Sequence, residues 1–136
     1  MRVLVLRLVF AAYLVVMGFV VWSPQPAHEA YPGILGAIAR WIAASGLPLG
    51  SVYDTLEVGA NVVMFVPFGV LAMTAYRWTR VWSTTLAGLA TSALIEGVQL
   101  FLPTRYATVS DLVANTAGAF FGALAVAIVS RRRTPR

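Results

Sequence analysis

The chain has 136 residues, of which 60% are hydrophobic and 11% charged, and its mean hydropathy is +0.81. An average soluble domain carries about 25% charged residues, so this composition excludes an ordinary water-soluble protein. The net charge of +5 comes from ten arginines and no lysine. These arginines lie in loops and at helix ends, which favours membrane orientation over nucleic-acid binding. Cysteine is absent, which excludes disulfides and thiolate metal ligands.

The first apolar run covers residues 3–22 and is long enough to cross a hydrocarbon core of about 30 Å. A cleaved signal peptide is the competing interpretation. However, the run exceeds the usual apolar core of roughly 7–15 residues, and no small-x-small cleavage site follows directly. Apolar residues at helical spacing then predict an amphipathic helix over about residues 33–46. Because it is too short to span a membrane, we expect this helix at the interface.

Three further apolar segments predict membrane spans over about residues 58–76, 81–102 and 112–129. Pro67 lies inside the first of these, and Pro103 ends the second. The predicted fold is therefore an all-α membrane protein with a single domain over residues 1–136. It has four transmembrane helices and a short interfacial helix between the first and second.

The arginines predict the orientation of these spans. If both termini are cytoplasmic, Arg40 and Arg105 are the two arginines that face outward, and the other eight face the cytoplasm. The eight are Arg2, Arg7, Arg77, Arg80, Arg131, Arg132, Arg133 and Arg136. This asymmetry predicts a multi-pass protein with residues 23–56 and 103–110 outside.

Polar residues from three predicted spans then reach a similar depth near the outward surface. Glu96 and Gln99 lie on one helix face, Asp111 and Asn115 on another, and Asn61 lies near the start of the second span. Ionisable groups in hydrocarbon are costly, so they mark a functional or packing site that faces the bundle interior.

Small residues continue the same helix faces inward, which predicts close helix packing. Gly118 and Gly122 follow Asn115 at helical spacing, in a small-xxx-small pattern. Ser92 and Gly88 precede Glu96 in the same way. The polar groups are therefore expected to point at neighbouring helices and not at lipid.

The fourth span begins with a capping signal, since Thr108 and Asp111 have capping-box spacing and Ser110 is an alternative cap. The helix N-terminus, beside Arg105, suits an anionic group. The candidate ligand-binding residues are Asn61, Glu96, Gln99, Arg105, Ser110, Asp111 and Asn115.

Three motifs in this order resemble the VanZ-like family: N-x-x-x-F-x-P-F-G over residues 61–69, E-x-x-Q over 96–99, and R-Y-A-T-V-S-D-L-x-x-N-x-x-G over 105–118. The resemblance implies a small bacterial membrane protein of the cell envelope, named for teicoplanin resistance. Many members carry an acid where this chain has Thr108. A second acid beside Asp111 is therefore missing, which argues against a two-carboxylate metal site.

Four functions remain open for the polar residues. The first is binding of a lipid headgroup, a lipid-linked envelope intermediate or a lipophilic glycopeptide, with no cofactor or metal. The second is an intramembrane enzyme that uses Glu96 or Asp111 as general base, although the sequence has no Ser–His pair and no zinc motif. The third is transport, which would require a homo-oligomer. The fourth is a purely structural cluster that fixes helix register.

Overall fold

The computed structural model describes residues 1–23, 31, 33–76, 80–102 and 108–132. These residues form five helices and no strand: α1 (Arg2–Trp22), α2 (Gly33–Ala43), α3 (Leu49–Ala75), α4 (Val81–Gln99) and α5 (Val109–Arg132). The prediction of an all-helical protein with membrane-type helices is confirmed.

Three of the described helices, α1, α3 and α5, are long and apolar enough to cross a membrane. Helix α4 has 19 residues but contains more polar side chains, so the predicted count of four spans is not confirmed. Its polar side chains are turned inward, since Thr84, Ser92 and Gln99 are all buried. Helix α4 thus uses several polar residues for its contacts with other helices.

The helix bounds differ from the predicted spans mainly at α3, which begins at Leu49 and not near residue 58. The apolar pattern marks only the part of a helix that suits hydrocarbon, while the first two turns of α3 are mixed in polarity. Helix α5 begins at Val109, three residues before the predicted span, because Thr108 caps it: the Asp111 amide donates to the Thr108 hydroxyl at 3.1 Å.

Helices α3 and α5 touch backbone to backbone. A Cβ atom at Gly118 would lie 2.2 Å from the Val62 carbonyl oxygen, and one at Gly122 would lie 2.1 Å from that of Val66. In the other direction, a Cβ at Gly69 would lie 2.1 Å from the Ala119 carbonyl oxygen. No side chain other than hydrogen fits at these three positions without moving a helix.

Helices α4 and α1 complete the bundle around this pair. Gly88 of α4 lies against the Ala119 methyl group of α5. Helix α1 packs on α3 through Phe10, whose ring meets Phe68 edge-on with centroids 5.3 Å apart. The Tyr13 hydroxyl also donates to the Met64 carbonyl of α3. The four long helices thus alternate in direction, with the ends of α1 and α4 and the starts of α3 and α5 at one end.

Helix α2 buries small residues and presents its large ones outward. Gly36 and Ala39 are buried, while Ile34 is 77% and Trp41 79% exposed. Gly46, at φ 99°, stops the chain from continuing as a helix. An exposed ridge of Ile and Trp is the expected face of a helix that lies in a membrane interface.

Candidate functional site

A continuous chain of hydrogen bonds joins α3, α5 and α4 at one end of the bundle. The Asn61 amide of α3 donates to Asp111 Oδ1 of α5 at 2.6 Å. The Asp111 backbone N–H bonds the Thr108 hydroxyl, and the Thr108 backbone N–H donates to Glu96 Oε2 of α4 at 2.8 Å. Three residues expected to converge from three helices therefore do lie together, with Thr108 as the link between the two carboxylates.

Asn115 lies one turn deeper on α5 and bonds α4. Its Nδ2 donates to the Ser92 hydroxyl at 2.9 Å, and the side chain is only 3% exposed. Its Oδ1 is also buried and accepts no hydrogen bond from any described residue. A buried polar atom without a partner is costly, so this oxygen needs a structural or functional explanation. We define the polar cluster as Asn61, Ser92, Glu96, Thr108, Asp111 and Asn115.

Gln99, which is expected among the ligand-binding residues, also fastens two helices. Its Nε2 donates to the Val21 carbonyl oxygen of α1 at 3.0 Å, and the side chain is buried. Gln99 thus fastens the end of α1 to the end of α4, beside the polar cluster. Because Val21 contributes only a backbone carbonyl, no side-chain pattern in the sequence could have predicted this partner.

The two remaining candidates lie at the loop before α5. The Ser110 side chain is exposed, and its hydroxyl lies 2.9 Å from the Thr108 hydroxyl, so Ser110 supports the cap and does not form it. Arg105 lies outside the described residues. The structure therefore brings Asn61, Glu96, Asp111 and Asn115 to one end of the bundle and leaves the position of Arg105 undescribed.

The oxygen atoms left over in the polar cluster are all acceptors. Among the described residues, hydrogen bonds occupy one carboxylate oxygen of Glu96 and one of Asp111, while Asn115 Oδ1 accepts none. The same residues contain no group of three or more His, Cys, Asp or Glu side chains that could hold a metal ion. Among the groups that the cluster still offers are these oxygen acceptors, which match ammonium, amide or hydroxyl donors.

Sequence reasoning missed two links of this network. Ser92 was assigned to helix packing, yet its hydroxyl is the partner of Asn115. The Thr108 amide was not expected to bond Glu96 across the loop. The sequence did contain a signal for the Ser92–Asn115 hydrogen bond, because Ser92 lies on the same helix face as Glu96, one turn away.

An open groove of about 640 Å³ runs along the same end of α1. Its walls are mostly apolar and are formed by Leu14, Val15, Gly18, Phe19, Trp22 and Ser23. The apolar groove and the polar cluster therefore lie at the same end of the bundle.

The family model described as VanZ/LLP1 matches residues 9–130. The chain belongs to the VanZ-like family. The VanZ-like match takes in most of α1 and all of α2 to α4, as well as the three motifs, which contain all of the polar cluster except Ser92. It therefore extends well beyond residues 61–118, where the motifs lie. No curated protein and no solved structure matches the chain significantly.

Proposed function

We propose that this VanZ-like protein spans a bacterial plasma membrane four times, with both termini cytoplasmic, and that its polar cluster binds the head of a lipid-like molecule. Three helices already have the length and apolarity of membrane spans. In the sequence, α4 lies between two of these helices, α3 and α5, and it runs antiparallel to both. Its 19 residues are about 28 Å long at 1.5 Å per residue. Its buried polar side chains would then be shielded from lipid by α5.

The orientation has a direct test. Five described arginines, Arg2, Arg7, Arg80, Arg131 and Arg132, lie at the end of the bundle where α1 starts and α5 ends. The sequence adds Arg77, Arg133 and Arg136 next to the same helix ends, which favours that end as cytoplasmic. Reporter fusions after Arg136 should be active only with a cytoplasmic reporter, and fusions within residues 24–31 only with an external one. Alkaline phosphatase activity from the C-terminal fusion would contradict the orientation and place the polar cluster inside.

The observation that carries the binding proposal is the set of unused acceptors in the polar cluster. Among the described residues, Glu96 and Asp111 each keep one carboxylate oxygen without a donor, and Asn115 Oδ1 is buried without one. A ligand head that brings ammonium, amide or hydroxyl donors would satisfy them. Lipid headgroups, lipid-linked envelope intermediates and lipophilic glycopeptides share this chemistry, and each joins a polar head to an apolar chain.

The groove on α1 supports a lipid-like ligand over a water-soluble one. Its apolar walls suit an acyl chain, and it lies at the end of α1 that Gln99 fastens to α4. A molecule with its chain along α1 would reach the polar cluster with its head. A water-soluble amine or sugar has no apolar chain that would occupy the groove.

The binding proposal is tested by native mass spectrometry of the protein extracted in mild detergent. The Glu96→Gln variant keeps an oxygen for the Thr108 amide but removes the charge. Asp54→Asn is the matched control, because Asp54 is an exposed acid on α3, about 10 Å from Asn61 along the helix. We expect the parent and Asp54→Asn to retain a lipid-like molecule, whose mass identifies it, and Glu96→Gln to lose it.

Separate outcomes distinguish binding from a structural cluster. Under the binding proposal, Glu96→Gln melts close to the parent yet loses the retained molecule and any protection against a lipophilic glycopeptide. If Glu96→Gln lowers the melting temperature together with retention, the cluster is structural. Arg105→Gln and the double variant then show whether Arg105 acts with Glu96, since a double loss equal to each single loss marks one unit.

A further inference from the structure

The two ends of the bundle carry opposite charge. At the end opposite the polar cluster, the described charged side chains are all arginines and all exposed: Arg2, Arg7, Arg80, Arg131 and Arg132. The sequence places Arg77 between α3 and α4, and Arg133 and Arg136 after α5, although their positions are not described. The described acids, Asp54, Glu57, Glu96 and Asp111, all belong to the other end.

Contacts between helices show that these arginines share one end. The Arg7 guanidinium lies 5.2 Å from the ring centroid of Tyr76, which brings the start of α1 to the end of α3. Helices α4 and α5 are antiparallel, as the Gly88–Ala119 and Ser92–Asn115 contacts show. Arg80 therefore lies near the last turn of α5. We define the basic rim as Arg2, Arg7, Arg80, Arg131 and Arg132.

We propose that the basic rim binds the anionic headgroups of phospholipids in the adjoining leaflet. An anionic lipid surface attracts juxtamembrane basic residues, and no described acid at this end competes for them. Arginine also binds a phosphate oxygen pair with two parallel N–H donors, which lysine cannot do. This proposal concerns the end opposite the polar cluster and does not depend on the function proposed there.

Aromatic side chains place the rim at headgroup depth. Trp82 is exposed on the first turn of α4, two residues after Arg80, and the half-buried Tyr76 is the C-cap of α3. Tryptophan and tyrosine prefer the membrane–water interface. The arginines beside them therefore lie at the level of the phosphates and not far out in water.

The test is competition between two lipids of equal chain length, phosphatidylglycerol and phosphatidylcholine, for the detergent-purified full chain, read by native mass spectrometry. We expect the parent to retain phosphatidylglycerol over phosphatidylcholine by roughly tenfold, and the preference to fall at about 1 M salt. The double variant Arg131→Gln/Arg132→Gln should lose most of the preference. Arg40→Gln, which removes one exposed arginine at the opposite end, should keep it.

Two results would overturn the proposal. One is equal retention of both lipids by the parent, which would make the rim a solvated basic end only. The other is an unchanged preference in Arg131→Gln/Arg132→Gln. If that variant does not fold, as its melting curve will show, Arg2→Gln replaces it, because Arg2 is the first residue of α1 and is fully accessible there. Loss of the preference in Arg2→Gln supports the proposal, and its persistence contradicts it.

Discussion

The contact between α3 and α5 and the polar cluster lie on the same helices but hold them together in different ways. Along the glycine seam, formed by Gly69, Gly118 and Gly122, backbone meets backbone and no added atom fits. One turn beyond it, at Asn115, the helices are joined by side chains, and Asn115 Oδ1 accepts no hydrogen bond from a described residue. The glycine seam has no space for a ligand and serves helix packing, whereas the acceptors of the polar cluster can bind a ligand.

This difference predicts how the two regions respond to mutation. In the seam, stability and function should fall together, because any change moves whole helices. In the polar cluster, isosteric substitutions should reduce function without reducing stability. The hydrogen bonds between helices can survive such a change, while the groups that bind the ligand are lost. Substitutions in the two regions therefore test whether stability and function change together, and the largest losses of stability are expected in the glycine seam.

Gly122→Ala should destabilise the protein strongly, although it adds only one methyl group. The new Cβ would lie 2.1 Å from the Val66 carbonyl oxygen, and overpacking of this kind costs about 1–3 kcal/mol. Thermal unfolding in detergent measures the loss. The control is Gly59→Ala on α3, where a Cβ meets nothing within 4 Å and alanine should stabilise the helix by about 0.5–1 kcal/mol.

Leucine substitutions at residues 121 and 122 test directly which face of α5 packs against α3. Gly122→Leu should lower the melting temperature further than Gly122→Ala, whereas Phe121→Leu should matter little because Phe121 is exposed beside the seam. Equal losses at residues 121 and 122 would show that α5 does not present this face to α3.

The Ser92–Asn115 pair should contribute a smaller, measurable coupling. Ser92→Ala leaves Asn115 Nδ2 buried without its partner, and Asn115→Ala does the same to the Ser92 hydroxyl. Interhelical hydrogen bonds in membranes average about 0.6 kcal/mol in double-mutant cycles, so we expect a coupling of about that size. A strictly additive double variant would mean that the bond contributes nothing to stability.

The same regions show which structural features can be predicted from the sequence and which cannot. Helix number, helix type and the convergence of Asn61, Glu96 and Asp111 follow from apolar runs and i, i+4 spacing, because side-chain periodicity encodes which face is buried. The partners of Gln99 and Glu96 could not be predicted, because both are backbone groups, Val21 and Thr108, that carry no side-chain signal. The start of α3 was missed for a related reason: polar helix turns beyond the membrane leave no apolar pattern.

Gly18→Leu should have the smallest effect on stability and a specific effect on the ligand's chain. Gly18 lines the groove on α1, and its nearest obstacle is the side chain of Trp22, which is itself exposed and can move. We therefore expect a melting temperature close to the parent and weaker retention of a lipid-like molecule in native mass spectra. Leu4→Ala, on the exposed part of α1 at the other end, is the control and should leave retention unchanged.

The central claim is that the unused acceptors of the polar cluster bind a donor-bearing head, and a lipid-dependent thermal shift tests it most directly. Phosphatidylethanolamine and a glucosyl diacylglycerol carry N–H or O–H donors, while phosphatidylcholine of the same chain length has none in its headgroup. A ligand at about 100 times its Kd stabilises the folded state by about 2.7 kcal/mol.

We predict that at least one donor-bearing lipid raises the melting temperature of the parent well above the value in phosphatidylcholine. Glu96→Gln should melt with the parent in phosphatidylcholine and lose that extra gain. The claim is contradicted if all three lipids stabilise the parent equally, or if Glu96→Gln keeps the full gain.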